Sequence, residues 1–483
     1  MDGTLVLVVA VGVVTLHLGL ALWAGGHVML TRREPTAAIL WLLFINATPI
    51  LGPVFYAVMG LHRVNRRHRL RGMRKSELRS RWASLSLMES RRKRHLGQAP
   101  AHVQALSDAV GRLCHRPLLT GNRVEALLMG ERAYPRMLEA IESARHHVHL
   151  QSYIFDDDET GRQFLMALSR AAQRGVEVRL IYDAIGSYEA AESTFDAARR
   201  AGVRIAVARP LKFSRWRRGL HFRNHRKILV TDGVVGFTGG MNISQRYLVE
   251  NDNPERSRDF HFRVRGPVVG QLQESFLEDW YEATGEELVA DVYYPEHHPE
   301  GPALCRVITS SPAGEYEYAH SLYFQAISCA QKRVDVVTPY LIPDGAMFTA
   351  LRAAVQRGAS VNVLIPGKVD SAFVQAANFG VLPDLVAIGV NCWVREPPFL
   401  HAKVLVIDHE WATVGSANFD SRSFRFNDEV NMEVMEPAFI AELEAAIEAE
   451  RKAARRWTAE EFAQLPLSRR IVQRTAALFG PTL

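Results

Sequence analysis

The sequence predicts an α/β protein built of two similar halves behind an apolar N-terminal hairpin, and three observations carry that expectation. Thr4–Ala24 and Thr36–Leu61 are almost purely apolar, whereas the rest of the 483-residue chain has an ordinary soluble composition. A strand–helix–strand pattern occurs twice, beginning at Ser143 and at Cys329. A short motif also returns: His225, Lys227 and Asp232 recur at identical spacing as His401, Lys403 and Asp408.

Thr4–Ala24 is long enough to cross a hydrocarbon core of about 30 Å as a helix. Met1-Asp2-Gly3 supplies no positive leader and no small-x-small cleavage site follows, which argues against a removed signal peptide. His17 inside this span is read as a polar residue tolerated beside a helix neighbour. In Thr36–Leu61 the interruptions at Pro49, Gly52 and Pro53 leave two expectations, a kinked span or a re-entrant hairpin.

Between His62 and His95 there are 13 Lys and Arg against Glu77 and Glu89, a net +11. Residues 1–61 balance, so the chain's total of +6 leaves −5 for residues 96–483. Arginines immediately past a span place that side in the cytoplasm, with Arg32-Arg33 a smaller opposing signal. The same cluster favours anionic lipid headgroups, at about 1 kcal/mol per cation. An acidic body argues against nucleic acid as the partner. Cys114, Cys305, Cys329 and Cys392 form no metal or redox spacing and read as free thiols in a reducing compartment.

Each half runs from an apolar strand through an acidic or proline-bearing loop and a helix ending in Gln-Arg-Gly to a second strand. Gly175 and Gly358 stand where a helix C-terminus favours a left-handed residue. Asp156, Asp157, Asp158 and Glu159 are expected to cap a helix rather than hold a metal. His146, His147 and His149 have no further ligand pattern and are read as structural.

In a strand, residues i and i+2 share a face, so His225 points with Lys227 and His401 with Lys403. Asp232 and Asp408 fall at the opposite parity, at a turn, and read as turn or orienting residues rather than proton carriers. Downstream, Gly240 matches Ser416 and Asn242 matches Asn418. Small residues let backbone approach a ligand, and each Asn offers amide donors. Two lysines and two amides suit the spreading charge of a phosphoryl transition state. Two histidines allow one to attack phosphorus and the other to protonate the departing alkoxide, without a metal or other cofactor.

The phrases "RNHRKILVTDGVVGFTGGMNIS" and "FLHAKVLVIDHEWATVGSANFDSRS" resemble the duplicated H-x-K-x4-D signature of the phospholipase D superfamily. With "TPYLIP", "FLEDW" and the "RREPTAAILW" hairpin, the chain resembles the membrane-anchored bacterial cardiolipin synthases over essentially its whole length. The resemblance implies two phospholipase D-like repeats, sheets flanked by helices, forming a pseudo-dimer. It implies a catalytic set of His225, Lys227, Asp232, His401, Lys403 and Asp408. Gly240, Asn242, Ser416 and Asn418 would contact substrate, with Asp259 and Glu429 the downstream carboxylates that orient the histidines, each within its own half. Residues 1–61 would be two transmembrane or re-entrant segments, 62–115 a basic linker, 116–295 the first repeat, and 296–483 the second with a C-terminal amphipathic helix.

The implied activity joins two phosphatidylglycerols into cardiolipin through a phosphatidyl-histidine, with release of glycerol. The enzyme would sit in the inner membrane facing the cytoplasm, in contact with anionic phospholipid. His225 is the expected nucleophile and His401 the general acid. A hydrolytic phospholipase D or another phosphodiesterase is the alternative. The basic-aromatic run from Lys212 to Arg223 is read as a headgroup region. Oligomeric state is left open by the sequence.

Overall fold

In the first half the branched apolar runs become β1 (Leu119–Leu128), β2 (His147–Ser152), β3 (Glu177–Asp183), β4 (Arg204–Ala208), β5 (Arg223–Asn224), β6 (Ile228–Thr231), β7 (Val235–Gly239), β8 (Ser257–Arg258) and β9 (Phe260–Arg265). In the second half they become β10 (Ala303–Ser310), β11 (Arg333–Val337), β12 (Leu341–Ile342), β13 (Ser360–Pro366), β14 (Asn391–Arg395), β15 (Phe399–Leu400), β16 (Val404–Ile407), β17 (Trp411–Gly415), β18 (Phe419–Asp420), β19 (Asn427–Met435) and β20 (Ala454–Arg456). The structure is a computed structural model and describes residues 3–31, 35–57, 96–97, 99–210, 222–248, 256–312 and 318–480. The basic segment 62–95 and residues 211–221 of the basic-aromatic run lie outside the described residues.

One large sheet runs β20-β14-β13-β11-β16-β17-β19-β10-β1-β9-β7-β6-β2-β3-β4, with β5 attached to β19. Outward from the β10–β1 junction the order is the same in both directions. Strands β19, β17, β16, β11, β13 and β14 answer β9, β7, β6, β2, β3 and β4. The junction is antiparallel, with Leu119 opposite Cys305. The duplicated sequence therefore folds as a pseudo-dimer sharing one continuous sheet.

Local signals act as the residue types require. Asp158 caps the helix Glu159–Gln173, accepting from the Gly161 N–H at 2.9 Å, and Asp344 caps Gly345–Gln356 in the same way. Gly175 (φ 88°) and Gly358 (φ 91°) supply the left-handed residue that ends each helix. The helix Glu159–Gln173 buries Phe164 and Leu168 against Val148, Val178 and Leu180, each worth about 1.5–3 kcal/mol of apolar burial. All four cysteines are free, three of them buried.

The N-terminal unit is a hairpin of its own. Its first helix spans Gly3–Thr31, and Ala10–Thr31 is long and apolar enough to cross a membrane. The next helix, Pro35–Ala47, has 13 residues and is about 20 Å long. It stops where Pro49 removes a donor and Ile50 turns left-handed (φ 61°). The Ile50 N–H freed by this break donates to His17 Nδ1 at 3.2 Å. His17 thus supplies the acceptor that the broken helix no longer offers.

Near the junction, Arg306 on β10 faces Glu433 on β19, both essentially inaccessible, at 2.8 Å. Arg306 also donates to the carbonyl and hydroxyl of Ser107 (2.7 and 2.6 Å), and Trp411 donates to Glu433 at 2.9 Å. Removing one partner leaves a buried charge unpaired. Arg306→Ala is expected to destabilise the full-length protein by about 3–5 kcal/mol, read as a lowered urea midpoint in detergent.

Candidate active site

Each half lends the other the short strand on which its motif rests. Strand β5, just before His225, pairs in parallel with the start of β19. Strand β15, just before His401, pairs in parallel with β8. The registers continue one residue further: the His225 N–H donates to the Asp428 carbonyl at 2.9 Å, and the His401 N–H to the Arg258 carbonyl at 2.7 Å. The residues after those carbonyls are Glu429 and Asp259. Each histidine is therefore set beside the carboxylate of the opposite half.

His225 Nδ1 lies 3.0 and 3.1 Å from the Glu429 oxygens, and His401 Nδ1 lies 2.6 Å from Asp259 Oδ2. The expected pairing within each half is corrected by this exchange. Sequence spacing alone could not show it, because the exchange depends on which strand β5 and β15 join. A carboxylate only accepts, so Nδ1 carries the proton and Nε2 of each neutral ring keeps its lone pair. Both imidazoles are about a tenth exposed, which leaves them reachable from outside.

Burial holds both histidines down to about 4; Glu429 opposes this at His225, and Lys403 adds to it at His401. Burial also holds Lys227 well below the usual lysine range, Glu429 opposing and Lys403 adding to the effect. Lys403 is lowered to about 8 by burial, against the pull of Asp259 and Glu429. The lysines are anchored alike: Lys227 donates to the His225 carbonyl at 2.7 Å, and Lys403 to that of His401. Burial pushes Asp259 and Glu429 upward, but the neighbouring histidines and lysines outweigh it and hold both below the ordinary carboxylate range.

The matched small residues support these carboxylates. A Cβ at Gly240 would stand 2.3 Å from Asp259 Oδ1, so only glycine leaves room for that side chain. At the equivalent position Ser416 donates its hydroxyl to Glu429 at 2.5 Å. Asn242 is engaged internally, accepting from the Ile154 N–H at 3.1 Å and donating to Tyr247 at 2.9 Å. Asn418 lies buried, its N–H donating to Ser423 at 3.0 Å.

Asp232 and Asp408, the last residues of the two motifs, stand at turns. Asp232 accepts the N–H groups of Arg145, His146 and His147 at 2.7–2.9 Å. Asp408 accepts those of Gln331, Lys332 and Arg333 at 2.7–2.8 Å, and faces His102 at 2.8 Å. Both sit at positive φ, 53° and 55°. With their lone pairs committed to backbone at the far ends of β6 and β16, they pin the strands that carry the motif.

Several supporting residues gave only weak sequence signals. Asp279, within "FLEDW", binds Gln151 (2.7 Å), Asn224 (3.0 Å) and Arg226 (2.8 Å). Arg226 reaches on to the Glu429 and Ser310 carbonyls, both at 3.2 Å, tying the first motif to the second half. Tyr153 packs edge-on against His225 at 4.9 Å with Lys227 5.3 Å from its ring centre. A buried polar partner on a distant helix leaves no periodic trace, so the phrase was visible but its role was not.

Fold and site are those of a phospholipase D-like pseudo-dimer. Residues 137–280 and 323–451 match the family described as "Cardiolipin synthase, PLD-like domain", and residues 19–60 match "Phospholipase_D-nuclease N-terminal". The major cardiolipin synthase ClsA of Bacillus subtilis (strain 168) is 33% identical, covering 94% of this chain and 95% of its own length. Cardiolipin synthase A of Pseudomonas entomophila (strain L48) is 35% identical, covering 97% of each chain. The crystal structure of phosphatidylserine synthase from Haemophilus influenzae Rd KW20 shares the fold: TM-score 0.62, 14% identity, 78% of this chain and 100% of that one. The chain belongs to the cardiolipin synthase family. It is a phosphatidyltransferase of phospholipid biosynthesis, and its apolar N-terminal helix accords with membrane association.

Two tests follow from this geometry. Gly240→Ala should displace Asp259 and reduce turnover at least tenfold, whereas Ser416→Ala, which opens space, should cost less; steady-state rates on lipid vesicles separate the two. The second concerns acid. His147, His225, His261 and His401 are held near 4 by burial, while the unfolded chain protonates them near 6.5. The unfolded state thus binds more protons between these values, and stability falls as pH drops from 6.5 to 4, by up to about 1.4 kcal/mol per histidine per pH unit. Urea midpoints across that window should decline steeply.

Proposed function

We propose that the enzyme joins two phosphatidylglycerols by a two-step displacement, with His225 as nucleophile and His401 as proton carrier. The observation that carries this reading is the crossed pair of buried histidine–carboxylate couples, each beside a lysine lowered by burial. In the first step the Nε2 lone pair of His225 forms a bond to phosphorus. The phosphorus–oxygen bond to the headgroup glycerol breaks, and His401 supplies the proton to the alkoxide, so glycerol leaves. In the second step His401 takes the proton from the headgroup hydroxyl of another phosphatidylglycerol. That oxygen attacks phosphorus and His225 is released.

Burial favours the neutral form of His401, so the general-acid role needs its proton restored. An anionic phosphodiester entering beside Lys227 and Lys403 favours the charged forms of both lysines and of His401. Binding and protonation are then one event. The lysines stabilise the charge that spreads over the non-bridging oxygens during transfer. Glu429 and Asp259 hold the rings in the reactive tautomer. The hairpin as two membrane segments, the cytoplasmic orientation and the division at residues 116 and 296 belong to the same reading, supported by the arginine cluster and by the duplicated sheet.

Purified enzyme given vesicles containing phosphatidylglycerol alone should yield cardiolipin and glycerol in equal amounts, with turnover largely intact after exhaustive chelation. Free phosphatidate in place of cardiolipin would establish hydrolysis instead. His401→Ala should lose activity on phosphatidylglycerol yet still form a covalent adduct with a nitrophenyl phosphodiester, whose leaving group needs no proton. His225→Ala should fail on both. An adduct on His401 in the His225→Ala enzyme would reverse the roles.

A further inference from the structure

The helix Leu467–Leu478 packs the reverse of an ordinary surface helix. Its inward face is small or backbone: Ala476 is buried, and Gly380 of the helix Ala372–Ala387 approaches so closely that a Cβ would meet the Gln473 carbonyl at 2.2 Å. Arg474 donates to the Gly380 carbonyl at 3.0 Å and pairs with Asp384 at 2.5 Å. The large apolar side chains point outward instead. Leu467, Ile471, Val472 and Leu478 are 55–79% exposed, and Phe479, just past the helix, is 52% exposed. Phe373, 45% exposed, extends the patch, its ring 6.1 Å from that of Phe479. Arg470 and Arg474 flank it over the Phe462 ring, at 5.5 and 5.2 Å, and Arg469 is exposed.

The patch adjoins the site. Gly480 abuts Ile342 of β12, which pairs with β18, the strand that follows Asn418. Asp370, three residues before Phe373, holds the Tyr340 hydroxyl at 2.7 Å and lies close enough to act on Lys403. On the first half, Tyr188 is 74% exposed next to Ser187, whose hydroxyl accepts from the Phe155 N–H and donates to the Tyr153 carbonyl, beside His225. Exposed aromatics thus follow β3 in one half and β13 in the other.

We infer that the face formed by Leu467–Phe479 and Phe373 seats in the headgroup layer of an anionic bilayer, bringing the mouth of the site to the lipid surface. This rests on the lipid-substrate reading given above. A helix with outward leucine, isoleucine and phenylalanine, flanked by arginines, matches the interfacial pattern in both apolar area and charge. It gives the catalytic body a membrane contact of its own.

The test uses the full-length protein in vesicles containing phosphatidylglycerol. Ile471→Glu with Leu478→Glu should lower phosphatidylglycerol turnover at least tenfold, leaving adduct formation with the soluble nitrophenyl phosphodiester and the hydrodynamic mass unchanged. Turnover within twofold of wild type would overturn the inference. A lowered mass with loss on both substrates would also overturn it and assign the face to a second copy of the chain. A fluorophore on Ile471→Cys, in protein reconstituted into nanodiscs, should be quenched by nitroxide-labelled lipid, and absence of quenching would reject the inference even if the glutamate variants misfold. If wild type makes no cardiolipin yet the fluorophore is quenched, the substrate reading fails and the surface stands.

Discussion

The site depends on one backbone register used twice. A donor at His225 meets the carbonyl before Glu429, and a donor at His401 meets the carbonyl before Asp259. Because β5 joins β19 and β15 joins β8, neither half holds both members of a histidine–carboxylate couple. A half folded alone would leave a buried carboxylate without its partner, at a cost of several kcal/mol. Chemistry and the pseudo-dimer interface therefore cannot be separated. The shared sheet and the Arg226 contacts to Glu429 and Ser310 maintain the alignment that two bonds of 2.7 and 2.9 Å define.

Near-symmetry then leaves the two couples chemically unequal. Glu429 is longer and receives the Ser416 hydroxyl as well as His225, whereas Asp259 is shorter and fills the space that Gly240 leaves. A hydroxyl on Glu429 withdraws part of that carboxylate's basicity from His225. Asp259 lies 2.6 Å from His401 and also accepts the Phe260 N–H at 2.7 Å. Burial holds both rings at about 4, with Glu429 the main opposing influence at His225 and Lys403 adding to the effect at His401. The surroundings of the two rings, and not chain order alone, are where the proposed division of roles between His401 and His225 would arise.

What the sequence made legible was whatever leaves a periodic or repeated mark. The strand–helix–strand repeats, the Asp158 and Gly175 helix ends and the His-x-Lys pairs could all be read because local backbone geometry dictates their spacing. The hairpin break at Pro49 was readable for the same reason. The crossed carboxylates, the Asp279 hub and the internal duties of Asn242 were not. Each depends on contacts between segments 53 to 204 residues apart, and a lone buried Asp looks the same in sequence whether it caps, orients or ligates. Asp232 and Asp408 show the reverse: membership of the motif suggested chemistry, while their parity and turn position already pointed to backbone anchoring.

Water exclusion links the buried site to the exposed helix. The proposed phosphatidyl-histidine yields cardiolipin only if the next oxygen to reach phosphorus belongs to a lipid, and water at about 55 M outnumbers any hydroxyl in bulk solution. Burying both histidines and both lysines disfavours their charged forms and limits solvent at the reacting atoms. A mouth that opened to bulk water would undo that, since each substrate exchange would flood it. Seated in the headgroup layer, the same mouth would meet phosphatidylglycerol hydroxyls at high local concentration as products leave. The outward leucine and phenylalanine side chains beside β12 are then the counterpart of the neutral histidines within. Both act to make a lipid hydroxyl, rather than water, the second nucleophile.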